Sequence, residues 1–148
     1  MPEQGTFERA REDAAEGKSP STQAGEFVRE EIEHVREGKH GARSTKQAIA
    51  IGLSKARRAG VKLPPPGRST ASEQTRRKAQ QDSKAAAKPH KPSSKRSRAV
   101  TEALEREPRA SASPRALSRQ AHKAAANRTG KDRSAAAKKA ARTRKRKK

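Results

Sequence analysis

The chain contains no cysteine, no tryptophan and no tyrosine, and Phe7 and Phe27 are its only phenylalanines. Without cysteine, disulfide bonds and cysteine-based zinc sites are excluded. With so few aromatic rings, stacking on unpaired bases is disfavoured as a way to read RNA or single-stranded DNA. No run of 18 apolar residues occurs, so no segment is predicted to cross a membrane.

Large apolar side chains are scarce and lie almost entirely in the first part of the chain. Hydrophobic residues make up 28% of the sequence, and 28 of them are alanines against 14 larger side chains. After the triple proline at 64–66, the larger ones are only Val100, Leu104 and Leu117. Residues 64–148 therefore bury too little apolar surface to offset chain entropy, and we expect a long disordered basic tail or folding only on a partner.

Positive charge is concentrated in that second part. Residues 1–63 carry 12 Lys and Arg against 10 Asp and Glu, whereas residues 64–148 carry 26 against 6. The net charge of the whole chain is +22 and its pI is about 11.4. Such a balance predicts a polyanionic partner, with nucleic acid ahead of an anionic membrane surface.

The clearest helix prediction covers residues 45–59. Ser44 is a good N-cap, and Gln47 follows at the spacing of a capping box. Gly60 favours a left-handed end, after which Val61 and Leu63 can fold back on the last turn. One apolar stripe at helical spacing is formed by Ile49, Gly52, Leu53 and Ala56.

Two further helices are predicted before it. Thr6 can cap a short helix at 6–16 that ends before Gly17. A second helix at 22–37 follows a Ser-Pro start signal and ends before Gly38. Its apolar stripe is formed by Ala24, Phe27, Val28, Ile32 and Val35.

The predicted fold class is all-α. Residues 1–63 form a small helical domain, a hairpin of two main helices plus the short N-terminal helix, with Phe7 covering the open side. Such a hairpin is marginal on its own, so a homodimer or a ligand would stabilise it. In the tail, three segments have helical potential but are expected to be helical only transiently, namely 97–107, 114–127 and 133–146.

No catalytic or metal-binding arrangement is recognisable, so we predict no enzyme and no cofactor. His34 and His40 are close in sequence, but no third ligand accompanies them at a metal-binding spacing, and we expect them to be solvated like His90 and His122. An acid–base pair needs an enclosed cleft, which a helical hairpin lacks. We therefore expect a solvated helix face for the acidic residues Glu30, Glu31, Glu33 and Glu37.

The turn at 38–46 brings Lys39, Arg43 and Lys46 to the start of the 45–59 helix, where free amides favour an anion. One backbone phosphate fits such a turn, and a plain solvated turn is the alternative. Lys55, Arg57 and Arg58 at the other end of that helix form either a second backbone contact or a solubilising surface. The last basic cluster consists of Arg142, Arg144, Lys145, Arg146, Lys147 and Lys148, and cations on an extended arm neutralise phosphates and release counterions.

Two resemblances add to this interpretation. Residues 44–60, Ser-Thr-Lys-Gln-Ala-Ile-Ala-Ile-Gly-Leu-Ser-Lys-Ala-Arg-Arg-Ala-Gly, resemble the S-x-K-Q-A-I-A-I-x-L-S-x-A-R-x-x-G signature of a small bacterial domain family of unknown function. Chains of this kind are often labelled plasmid stabilisation protein, which implies a DNA-related role. The tail is similar in Lys, Ala and Pro composition to linker-histone tails, and that likeness implies chemistry without specific residues.

These observations favour a cytoplasmic, nucleoid-associated, histone-like DNA-binding protein of the nucleoid- or plasmid-maintenance type. The basic tail is expected to bind the phosphate backbone with low sequence specificity, and DNA is favoured over RNA. One alternative is an RNA- or ribosome-associated basic protein. Another is an adaptor whose N-terminal helices bind a protein partner while the tail acts as an electrostatic anchor.

Overall fold

The structure is a computed structural model that describes residues 1–88 and 91–146, and every regular element in that part of the chain is helical. The all-α prediction is therefore confirmed. The helices are α1 (Gln4–Ala15), α2 (Pro20–Glu37), α3 (Thr45–Arg58), α4 (Glu73–Ala87), α5 (Ser94–Glu105), α6 (Pro114–Ala126) and α7 (Gly130–Arg146), with a short 3-10 helix at Ala110–Ala112.

Local signals set the ends of α2 and α3. Gly38 ends α2 at a φ of 79°, and Gly60 follows α3 at a φ of 95°, both in the left-handed region that glycine adopts without strain. The Ser44 side chain accepts from the Gln47 amide at 3.1 Å, as a cap should. The Gln47 side chain accepts in return from the amide of Arg43 at 2.8 Å, one residue earlier than in a capping box.

Helix α1 begins earlier than expected, and the predicted cap at Thr6 is wrong. The helix starts at Gln4, so Thr6 lies inside its first turns, where it is buried. Its hydroxyl oxygen accepts from the Arg9 side chain at 3.1 Å. Thr6 therefore packs and bonds within the fold and does not cap a helix end.

The main core forms where α1, α2 and α3 meet. Phe27 and Ala24 of α2 pack with Ala10 of α1 and Ala56 of α3. Phe7 covers this cluster as predicted, with its ring edge-on to Phe27 at a centroid separation of 5.6 Å. Other partly buried side chains that pack on the core include Leu53, Val61 and Leu63.

Small residues form the inner face of α3. Its buried positions include Ala48, Gly52 and Ala56, whereas Ile49, a member of the predicted stripe, is only partly buried. A Cβ atom added at Gly52 would lie 2.6 Å from Cα of Val28 on α2. The two helices therefore touch backbone to backbone at this point.

The prediction of a long disordered tail with only transient helices is wrong, because α5, α6 and α7 are formed where 97–107, 114–127 and 133–146 were expected to be transient. The segment directly after the prolines was not expected to contain a helix at all. Helix α4 packs on α3 and buries Ala79 and Asp82. Asp82 accepts hydrogen bonds from Ser54 and from Arg58 (2.9 Å), and Lys78 lies 3.4 Å away. Burial raises the pKa of Asp82, but these hydrogen bonds and nearby positive charges outweigh burial and hold the pKa below its usual value.

A second part of the expected tail, residues 104–112, packs on α2 and α3, and we call it the docking segment. The amide of Gly41 donates to the carbonyl of Leu104 at 2.8 Å, and the amide of Ala42 donates to that of Pro108 at 3.1 Å. Thr45 donates its hydroxyl to the Ser111 carbonyl at 2.5 Å. These bonds join positions more than sixty residues apart in the sequence.

The prediction of a two-helix hairpin with one short N-terminal helix is therefore also wrong, because α4 and the docking segment pack on it as well. The error came from counting large apolar side chains. The chain after the prolines packs through alanines such as Ala79 and Ala112, through the buried Asp82, and through backbone hydrogen bonds. Alanine is also the strongest helix former, which explains ordered helices in a segment poor in large side chains.

The expected solvated face of α2 is wrong in part. Glu33 is exposed and pairs with Arg29 at 3.2 Å, as expected. Glu30 and Glu31, however, are 3% and 0% exposed. Glu30 is buried because its carboxylate accepts from the backbone amide of Glu3 at 3.2 Å. On the inner side of α2, Glu31 faces Lys55 of α3 and His40 of the turn that follows α2.

Two compact units make up the chain, Met1–Ser113 and Pro114–Lys148. The first contains the core just described. In the second, no residue of α6 or α7 that the structure describes is fully buried. No helix in the described ranges is both long enough and apolar enough to span a membrane.

Candidate functional site

The basic turn at 38–46 is covered on one side by the docking segment. The amides of Gly41 and Ala42 donate to its carbonyls, and a Cβ atom at Gly41 would overlap the carbonyl oxygen of Glu107. The Gln47 amide is taken by the Ser44 cap. Arg43 and Lys46 remain exposed, and neither side chain makes an ion pair within residues 1–88 and 91–146.

Other cations predicted to contact phosphates lie against carboxylates of the same chain. Lys39 bridges Glu3 and Glu37, with 3.1 Å to each, and hydrogen bonds to those carboxylates raise the pKa of Lys39. Hydrogen bonds from His34 and Lys39 lower the pKa of Glu3 in turn. The structure thus places Lys39 in a surface ion pair, with its side chain half exposed.

The cations at the end of α3 are similarly engaged. Lys55 donates to Glu31 at 2.6 Å, and Arg58 donates to Asp82 at 2.9 Å. Arg57 is buried, donates to the Pro64 carbonyl at 3.3 Å, and burial lowers its pKa. These three side chains hold α3 against α2, α4 and the proline segment.

Helix α7 presents the opposite situation. Arg142, Arg144, Lys145 and Arg146 are all exposed, and Lys147 and Lys148 lie outside the described residues. The unit that contains α7 has 14 Lys and Arg residues and a single acid, Asp132. At the start of the helix, Asp132 accepts hydrogen bonds from the amide and the hydroxyl of Thr129. These hydrogen bonds lower the pKa of Asp132.

The cations of α7 are unevenly distributed around the helix. Positions seven, eleven and fourteen residues apart share a face of an α-helix. Four cations of α7 have this spacing from residue 131 and form one basic face, namely Lys131, Lys138, Arg142 and Lys145. Arg133 and Arg144 lie on the opposite side. The basic face extends about 21 Å along the helix at 1.5 Å per residue.

A second cluster combines α2 with the turn that follows it. One ligand atom each from Glu31, His34 and His40 lies within 4.8 Å of the other two. The two imidazole rings are edge-on, with centroids 6.2 Å apart. His40 Nε2 lies 3.3 Å from Glu31 Oε1, while Lys55 holds the other carboxylate oxygen. The expectation of separate, solvated histidines is therefore wrong for this pair.

Sequence reasoning missed this cluster because Glu31 was assigned to the solvated face. Glu31 and His34 are three residues apart, so they share a face of α2. The turn that begins at Gly38 then brings His40 back over that face. The Glu-x-x-His spacing was the available signal, but only the fold shows that the face is buried.

The fold and these sites define a strongly basic, all-helical protein with a compact first unit and an exposed cationic second unit. Residues 16–66 match the sequence model of a family of unknown function, DUF6496. That match supports a small domain of unknown function in the part of the chain that contains α2 and α3. No match to the chain is found among curated proteins or among solved structures.

Proposed function

We propose that the chain is a non-enzymatic DNA-associated protein of the nucleoid- or plasmid-maintenance type, and that it binds the phosphate backbone through its cationic second unit. The observation that supports this most directly is the basic face of α7. Its cations are exposed, and the unit's single acid, Asp132, is engaged with Thr129. Such a surface attracts a polyanion and releases its counterions on binding.

The ion pairs of the first unit suggest that the two units contribute differently to DNA binding. Lys39, Lys55 and Arg58 already neutralise carboxylates, so using them for phosphates would break ion pairs within the fold. Arg43 and Lys46 are exposed beside the covered turn, and they form an auxiliary phosphate contact. The second unit therefore supplies most of the affinity, and the first unit orients it.

Low sequence specificity follows from the side chains that the chain lacks. Phe7 and Phe27, its only phenylalanines, pack together in the core and cannot stack on bases. Base readout would then need hydrogen bonds in the grooves, whereas Lys and Arg on an exposed helix mainly contact phosphates. Duplex DNA of any sequence is the expected partner, and association with the nucleoid is the expected location.

A comparison of two double variants of the full chain tests the proposal. Lys138→Gln with Arg142→Gln removes two cations from the basic face of α7. Arg133→Gln with Arg144→Gln removes two from the opposite side, at nearly equal helix propensity. Affinity for a duplex would be measured by fluorescence anisotropy across a range of salt concentrations.

The first variant should reduce the slope of log K against log salt by about 2, because each lost phosphate contact contributes roughly 0.9. If the plots of log K against log salt for the parent chain and the variant meet near 1 M salt, this corresponds to roughly 30-fold weaker binding at about 0.15 M salt. The control variant should change the slope by much less. Equal losses in both variants would refute binding by one face, and an unchanged affinity in both would refute the second unit as the DNA-binding element. Tighter binding of structured RNA than of duplex DNA would favour the ribosomal alternative.

A further inference from the structure

The cluster of Glu31, His34 and His40 has the composition of a transition-metal site. It offers two imidazole nitrogens and one carboxylate oxygen, a set that binds Zn²⁺ and similar divalent ions and leaves one coordination position open. We propose that these three residues bind a divalent transition-metal ion of the Zn²⁺ class. This site lies in the first unit and does not depend on DNA binding.

The distances within the cluster fit this assignment. Bonds of about 2.0–2.2 Å in a tetrahedral arrangement place neighbouring ligand atoms roughly 3.4 Å apart. Glu31 Oε1 and His40 Nε2 are already 3.3 Å apart. The ligand atom of His34 lies within 4.8 Å of the others, so it needs to approach by no more than about 1.4 Å.

The buried carboxylate of Glu31 is an independent indication of a ligand. Glu31 is 0% exposed, and its Oε1 atom is buried without a hydrogen bond of acceptable geometry from any described residue. A buried polar atom without a hydrogen bond is costly, and it calls for an explanation such as a bound ion. A metal bound to Oε1 would satisfy this atom while Lys55 keeps its bond to Oε2.

The surrounding hydrogen bonds are of the kind that orient metal ligands. A histidine that binds a metal through one ring nitrogen usually bonds through the other to a carbonyl or carboxylate. His40 Nδ1 bonds to the Gly41 carbonyl at 3.0 Å, which leaves Nε2 directed at Glu31. His34 Nε2 bonds to Glu3 at 3.0 Å. The two imidazoles are 12% and 14% exposed, so an ion can reach the site from solvent.

Binding would also link α2 to the turn that the docking segment covers. His40 precedes Gly41, whose amide bonds to Leu104. An ion held by both α2 and this turn would restrain the turn and so protect the Gly41 amide from hydrogen exchange. This effect gives a readout that mere surface binding of a metal would not produce.

The test uses the metal-free full-length chain titrated with Zn²⁺ by calorimetry and with Co²⁺ by visible absorption. We expect one ion per chain and the strong d–d absorption of a four-coordinate Co²⁺ site. His40→Gln and His34→Gln should each weaken binding at least tenfold, because losing even a residue that only orients a ligand costs about 10–100-fold in affinity. His122→Gln, which removes a histidine of α6, is the matched control and should bind as the parent chain does.

Circular dichroism of each variant shows whether it retains the parent fold. Glu31→Gln removes a buried charge next to Lys55 and is informative if it remains folded, whereas His40 lies in a turn and its variant tests the site by itself. Absence of one-to-one binding by the parent chain would overturn the proposal. Binding that His40→Gln leaves unchanged, or that His122→Gln weakens equally, would also overturn it, and so would a Gly41 exchange rate that Zn²⁺ does not alter.

Discussion

Gly52 lies where α3 crosses α2, and replacing it by alanine tests whether this backbone contact determines the packing of the first unit. An added Cβ would lie 2.6 Å from Cα of Val28 and 3.0 Å from the carbonyl oxygen of Phe27. Both neighbours are backbone atoms, so a change of side-chain rotamer cannot relieve the overlap. The two helices would have to move apart and open the core around Phe27.

Two opposing effects set the expected magnitude. Alanine is favoured over glycine inside a helix by about 1 kcal/mol. Overpacking of a close-packed contact costs about 1–3 kcal/mol. The upper end applies because the added Cβ overlaps backbone atoms of α2, which cannot move away as a side chain can. We therefore expect Gly52→Ala to lower the free energy of unfolding by about 2 kcal/mol.

Gly25→Ala is the matched control. Gly25 lies in the interior of α2, and no atom beyond its chain neighbours and the backbone of its own helix lies within 4 Å of an added Cβ. The same substitution should here raise the free energy of unfolding by about 0.5–1 kcal/mol, because only helix propensity changes.

Urea denaturation followed by far-UV circular dichroism measures both variants. In a thermal scan, the melting temperature should fall for Gly52→Ala and rise slightly for Gly25→Ala, by roughly 4 °C per kcal/mol for a unit that spans Met1–Ser113. If Gly52→Ala is neutral or stabilising, as the control is expected to be, then the backbone contact between α2 and α3 does not determine the packing of the first unit.

The other predictions concern the part of the chain after the prolines. Gly41→Ala should release the docking segment, because the new Cβ overlaps the Glu107 carbonyl, and limited proteolysis should then cleave within 104–112 faster than in the parent chain. Asp82→Asn should cost about 1–2 kcal/mol at neutral pH, since charged hydrogen bonds contribute about 1.5–3 kcal/mol and the half-exposed Arg58 is partly screened. The pKa of Asp82 is depressed in the folded state, so its stabilisation is complete above the unfolded pKa of about 3.9 and is lost as the pH falls through the lower folded pKa. A stability difference between Asp82→Asn and the parent chain that persists in strong acid would contradict this assignment.

The sequence by itself determined the features that depend on neighbouring residues. Ser44 caps α3 by accepting a hydrogen bond from the amide three residues later. Gly38 ends α2 in the left-handed conformation, and Gly60 takes the same conformation just after α3. These interactions span one helical turn, so they can be read from local spacing. The class of fold and the ends of α2 and α3 were predictable for this reason.

Tertiary structure alone decided which polar groups are buried and which cations are available. Glu31 and Glu33 are glutamates of the same helix, two positions apart, and local sequence does not distinguish them. Glu31 is nevertheless buried, because α3 and the turn at His40 cover it. The docking segment is held by hydrogen bonds that the amides of Gly41 and Ala42 donate to backbone carbonyls more than sixty positions away, and backbone groups leave no pattern in side-chain composition. Long-range contacts of this kind are set by how whole helices pack, so neither the ion pairs of the first unit nor the histidine cluster followed from spacing along the chain.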